Sequence, residues 1–145
     1  MIMVFKTPQE EEEWKYAPLA LQLVALYFCE LSRDACGVVP VVTRIKRKVE
    51  GESGVHQDYR AIDFRDEMGV GGKRLYTDDQ VKFLVDAMNL KFPRQDGKLV
   101  CIHHAFVNHK KTDSGRAPYH FHLQIPALWR LKPELISSCQ PSTEQ

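Results

Sequence analysis

Two short segments carry residue types that could share one metal ion: His56 with Asp63, seven positions apart, and the run His120-Phe121-His122 nearer the C-terminal end. A catalytic zinc takes three protein ligands from His, Asp, Glu or Cys and keeps a fourth position for water, whose pKa it lowers towards neutrality. His56, Asp63 and one of His120 and His122 make such a set. The alternation Phe121, Leu123, Ile125 predicts a half-buried strand, which puts His120, His122 and Gln124 together on its other face. The step from His56 to Asp63 fits a strand, a bulge or a loop equally, so spacing permits the site without dictating its geometry.

The surrounding residues add a family pattern. Ser53, His56 and Asp63, with Arg60-Ala61 ahead of the Asp, are followed by His-x-His on the expected strand. This resembles the zinc peptidases of the D-alanyl-D-alanine carboxypeptidase and L-alanyl-D-glutamate endopeptidase type, which share the Hedgehog/DD-peptidase fold with the Hedgehog signalling domain. The resemblance covers roughly residues 38–126. It implies His56 and Asp63 as the first two zinc ligands and His122 as the third, with a competing register that makes His120 the ligand. It also implies an upstream Arg that holds a substrate carboxylate, for which Arg47 or Arg44 is placed; a guanidinium suits this because its planar fork pairs bidentately with a carboxylate. A basic cluster such as Arg44, Lys46, Arg47 and Lys48 is otherwise an ordinary solvated strand end.

The chain also departs from that pattern. Many such peptidases carry an acid three residues before the ligand His, as general base; here that position is Tyr119 in one register and Ala117 in the other. His120 is then the expected proton-transfer residue, an imidazole being suited to that task near neutral pH. Asp66, Glu67 and Asp113 are the acids that could replace the missing base. The small residue expected three positions after the first His is Tyr59. The resemblance implies a Zn2+-dependent hydrolase cutting short peptidoglycan (cell-wall) peptides, in an endolysin-like or virion-associated setting. The alternative is a non-catalytic metal-binding structural or virion-associated domain that keeps the fold and lacks the acid.

The elements that must position these residues follow from pattern. With 145 residues the chain is expected to form one domain, 1–145, with its core over about 8–136 and a frayed C-terminal tail. Thr7-Pro8 predicts a helix start with an acidic first turn. The apolar stretch 18–35 predicts a core helix that Gly37 ends. Strands are expected at 38–45, 60–65 and 99–106, a helix at 78–90 capped by Thr77, and a polar flap at 108–116. The fold class is therefore α+β, an antiparallel sheet with helices packed on it, Hedgehog/DD-peptidase-like. His103 and His104, adjacent on a strand, must point to opposite faces, so at most one approaches the metal.

Composition limits the partners. A net charge of +1 argues against a dedicated nucleic-acid binder. Cys29, Cys36, Cys101 and Cys139 form no CxxC pair and are expected as reduced thiols. The apolar run 16–29 is shorter than a membrane span and follows acids rather than the basic start of a signal peptide. Synthesis in the cytoplasm is expected, with the periplasm, cell wall or virion as the site of action.

Overall fold

Alternation along two neighbouring strands separates a helix-covered core from a polar face. The computed structural model describes residues 1–45, 59–104, 117–132 and 134. Five strands form one sheet: β1 (Val4–Phe5), β2 (Val41–Arg44), β3 (Ala61–Arg65), β4 (Cys101–His103) and β5 (His120–Gln124), in the spatial order β1-β2-β3-β5-β4. All neighbours are antiparallel except β1 and β2. Four helices among the described residues complete a mixed α+β fold: α1 (Pro8–Trp14), α2 (Leu19–Cys36), α3 (Asp78–Lys91) and α4 (Ala127–Leu131). The expected sheet was wholly antiparallel; the parallel pair arises because the N-terminal residues form an edge strand, too short to show a period in sequence.

Helices α1, α2 and α3 form where the pattern placed them, for local reasons, while α4 was not expected from the sequence. Thr7 closes a capping box on α1 with Glu10, and Thr77 closes one on α3 with Gln80, each satisfying backbone N–H groups that a helix start leaves unpaired. α2 buries Ala20, Leu21, Val24, Ala25, Phe28, Cys29 and Ser32, the stripe of a helix pressed against a core. It ends at Gly37, whose φ of 69° is the left-handed turn that glycine adopts without a Cβ penalty.

Phe28 of α2 stacks on Phe64 of β3 with ring centroids 4.8 Å apart and meets Phe121 of β5 at 5.0 Å. Ile62, Phe64, Phe121 and Leu123 are fully buried on this side. Because side chains alternate along a strand, Asp63, Arg65, His120, His122 and Gln124 occupy the opposite face. β4, at the sheet edge, is held by Asn89 of α3: its Oδ1 accepts from the N–H groups of Val100 and Cys101, both at 2.9 Å, and its Nδ2 donates to the Cys101 carbonyl at 2.8 Å. One amide side chain thus does what a sixth strand would do for that stretch of edge.

Cys29, Cys36 and Cys101 are free thiols, as expected, and burial pushes the Cys29 thiol up to about 12. Among the described residues no helix is long and apolar enough to cross a membrane. The flap at 108–116, Cys139 and the tail beyond 137 lie outside the described residues.

Candidate metal and hydrolytic site

The register of β3 and β5 sets Asp63 directly opposite His122 and Arg65 directly opposite His120. His122 Nδ1 donates to Asp63 Oδ1 at 2.8 Å, and His122 Nε2 donates to Gln124 Oε1 at 3.1 Å. An oxygen acceptor at each nitrogen favours the protonated ring, which pairs with the carboxylate. Burial alone would depress the His122 pKa, but the Asp63 carboxylate outweighs it and the net shift is upward. Asp63 and His122 are both buried. His120, His122 and Gln124 share one face of the strand as expected, and on that face His122 is only 8% exposed.

His120 is held differently. Its Nδ1 donates to the Pro118 carbonyl at 2.7 Å, so in the neutral ring the lone pair is on Nε2, 3.7 Å from Asp63 Oδ2. That distance is too long for a hydrogen bond and leaves Nε2 facing the site as a Lewis base.

Of His103 and His104, at most one was expected to approach the site, and it is His104 that does. Its backbone N–H donates to the His120 carbonyl at 3.1 Å, continuing the β4–β5 ladder past the end of β4. Its ring stacks on His120 at 4.4 Å and meets His122 edge-on at 5.9 Å. His103 points the other way, into the core, donating from Nε2 to Asp66 Oδ2 at 2.8 Å. The alternation of the two histidines was legible; which of them faced the metal side was not.

The two candidate replacement acids within the described residues are engaged elsewhere. Asp66 is fully buried, takes a hydrogen bond from His103 and Arg74, and accepts the N–H groups of Leu75 and Tyr76. Burial would raise its pKa, but these donors hold it below the ordinary carboxylate value. Glu67 accepts Tyr119 N–H at 2.9 Å and Gly71 N–H at 2.7 Å. Both acids pin loops: Asp66 is turned into the core, and Glu67, which borders the cleft beside His120, already has its oxygens on backbone N–H groups. Asp113 lies outside the described residues.

Tyr119 has its ring under the Arg74 guanidinium at 5.5 Å and near His103 at 6.2 Å. Arg44, at the end of β2, is brought opposite Asp63 by a bulge after Val42, and Thr43 Oγ1 within that bulge donates to the Asp63 carbonyl at 3.4 Å. Beside His120 opens a cleft of about 430 Å³ lined by Lys6, Arg44, Arg65, Glu67 and Tyr119 among others. His56 and Arg47 lie outside the described residues.

Asp63 and His122 form an oxygen–nitrogen donor pair of the kind zinc prefers, and each imidazole turns its other nitrogen to an oxygen, the partner that orients a ligating histidine. Two ligand atoms on a tetrahedral zinc stand about 3.3 Å apart for bonds of about 2.05 Å. The 2.8 Å Asp63–His122 contact would therefore open by about half an ångström around an ion. Among the described residues no group of three or more His, Cys, Asp or Glu side chains forms a metal-holding set; completion of the expected triad depends on His56. Comparison with protein-family models, with curated proteins and with solved structures finds no match.

Proposed function

We propose that this chain is a zinc-dependent metallopeptidase of the Hedgehog/DD-peptidase fold, cleaving short cell-wall peptides. The observation that carries the reading is the juxtaposition of Asp63 and His122 across two central strands, with the basic Nε2 of His120 facing the same carboxylate. The residues that would hold zinc are His56, Asp63 and His122. When bound, zinc supplies Lewis acidity towards a peptide carbonyl and acidifies water.

The protein's own groups divide the remaining work. His120, its Nδ1 proton fixed on the Pro118 carbonyl, takes a proton at Nε2 and returns it to the leaving amine. Gln124 orients the His122 ring, and Asp63 is buried and held by its strand neighbours, so neither needs to reorganise during the reaction. The backbone at Tyr59 also supports the reading: its φ of 56° is in the left-handed region, where a small residue such as glycine is favoured, and the resemblance places a small residue there.

A specific observation favours the second reading, a non-catalytic metal-binding domain: Asp66 and Glu67 are occupied by loops, and the described residues supply no carboxylate at the expected base position. One experiment separates the readings. Zinc content is measured on the purified chain beside His56→Ala and His122→Ala, and the same samples are assayed for cleavage of peptidoglycan fragments. One zinc per chain, lost in both variants, together with cleavage supports the peptidase. Zinc without cleavage supports the binding domain, and a chain that takes up no zinc when offered it removes both.

A further inference from the structure

We propose that Lys6 and Arg65 form an anion subsite that takes a carboxylate of the ligand in the cleft beside His120. The sheet brings these cations to one cleft from different strands. Arg65 ends β3 and is the cross-strand partner of His120. Lys6 follows β1, and its N–H donates to the Val42 carbonyl at 2.9 Å, so the β1–β2 pairing runs on through it. Both line the cleft of about 430 Å³ that opens next to His120, a volume within the usual range of small-ligand sites.

Among the described residues the cleft's charge is one-sided. Lys6, Arg44 and Arg65 line it, and the one carboxylate among its described lining residues, Glu67, is 4% exposed with an oxygen on each of two backbone N–H groups. Among the described residues neither Lys6 nor Arg65 pairs with a carboxylate; Arg65 Nη1 lies 3.8 Å from Met68 Sδ, a weak acceptor. Two cations in a walled cleft focus positive potential on it, and the guanidinium fork matches a carboxylate. These residues come from β1 and β3, whereas the resemblance assigns its carboxylate-binding Arg to the β2 segment. The ligand therefore meets positive charge on more than one strand. The inference rests on the peptidase reading for the peptide nature of the ligand, but not for its charge.

The carboxylate could be a chain terminus or an acidic side chain, and three probes distinguish them. Calorimetric titration on the purified chain compares N-acetyl-D-alanyl-D-alanine, its C-terminal amide, and N-acetyl-L-alanyl-D-glutamate with only the side-chain carboxylate left free. At least one of the two acids is expected to bind about tenfold more tightly than the neutral amide. Arg65→Gln and Lys6→Gln should each remove most of that preference, with urea midpoints confirming that both variants fold. Equal binding of all three, binding of none, or a preference unchanged in both variants overturns the subsite. A preserved preference in a chain that cleaves none of the peptides keeps the subsite and rejects the peptidase.

Discussion

Asp63 and His122 are directly opposed on adjacent antiparallel strands, joined by a 2.8 Å hydrogen bond between Oδ1 and Nδ1. Asp63 is the charged group that raises the His122 pKa. The His122 proton is held against the cost of desolvation by one carboxylate.

Removal of that carboxylate has a predictable sign. In Asp63→Asn the desolvation of His122 is no longer offset, so its pKa falls below the wild-type value, read from the pH dependence of its ring protons by NMR. In the wild type the raised pKa contributes stability that is fully present below the unfolded value of about 6.5 and is lost as pH rises through the folded value. The variant should lose that slope. An unchanged His122 titration in Asp63→Asn would show that the pair is not coupled.

Zinc uptake should release a proton. A ligating imidazole must give up the proton its donor atom carries, and His122 Nδ1 holds one against Asp63. Apparent zinc affinity is expected to rise about tenfold per pH unit until the pH passes the raised His122 value. Calorimetry in two buffers of different ionisation enthalpy measures the protons released, and a count of zero at pH 6 would contradict the assignment of His122 as ligand.

Asp66 anchors the loop before α3 to β4 through Arg74, His103 and two backbone N–H groups. Asp66→Ala leaves these donors facing a buried void and should cost about 3–5 kcal/mol in urea unfolding. Asp66 titrates below the ordinary value, so its contribution is present above about pH 4 and is lost as pH falls through the folded value. His103, whose pKa is lowered first by burial, adds a stability loss that begins as pH falls below about 6.5. A stability curve flat from about pH 7 to pH 4 would exclude the His103 contribution, and one that stays flat as pH falls below about 4 would exclude that of Asp66.

Asn89→Ala tests the edge strand. Three hydrogen bonds to Val100 and Cys101 disappear, and at a net of about 1 kcal/mol each the expected loss is about 2–3 kcal/mol. Amide hydrogen exchange should accelerate at 100–104 before it does so in β3. Uniform acceleration across the sheet would instead mean that Asn89 serves global stability alone.

The regular elements with a clear period or cap, α1, α2, α3, β3 and β5, were legible because burial and capping impose their spacing. The expected helix 78–90 is Asp78–Lys91, and the strand at 60–65 is Ala61–Arg65. The strand expected at 38–45 shrinks to Val41–Arg44, and within the described part of the strand expected at 99–106 the strand is Cys101–His103, since apolar residues at a strand's start carry the same pattern before pairing begins. Of the site, Asp63, His120 and His122 share one face as expected. The contribution of His104, the position of Arg65 opposite His120 and the loop duties of Asp66 and Glu67 were not legible. They depend on which strands become neighbours, which local periodicity does not encode.

Core and chemistry are interleaved one residue at a time: Ile62, Phe64, Phe121 and Leu123 look inward, while Asp63, Arg65, His120 and His122 look outward. Length is therefore constrained more tightly here than identity. A substitution at His122 changes one donor and leaves Phe121 on Phe28, whereas deletion of a single codon within 120–124 turns the strand inside out, presenting imidazoles to the helices and a phenyl ring to the cleft. Sequence drift can edit this site by replacement, but a frame-preserving indel on either central strand abolishes fold and site in the same event.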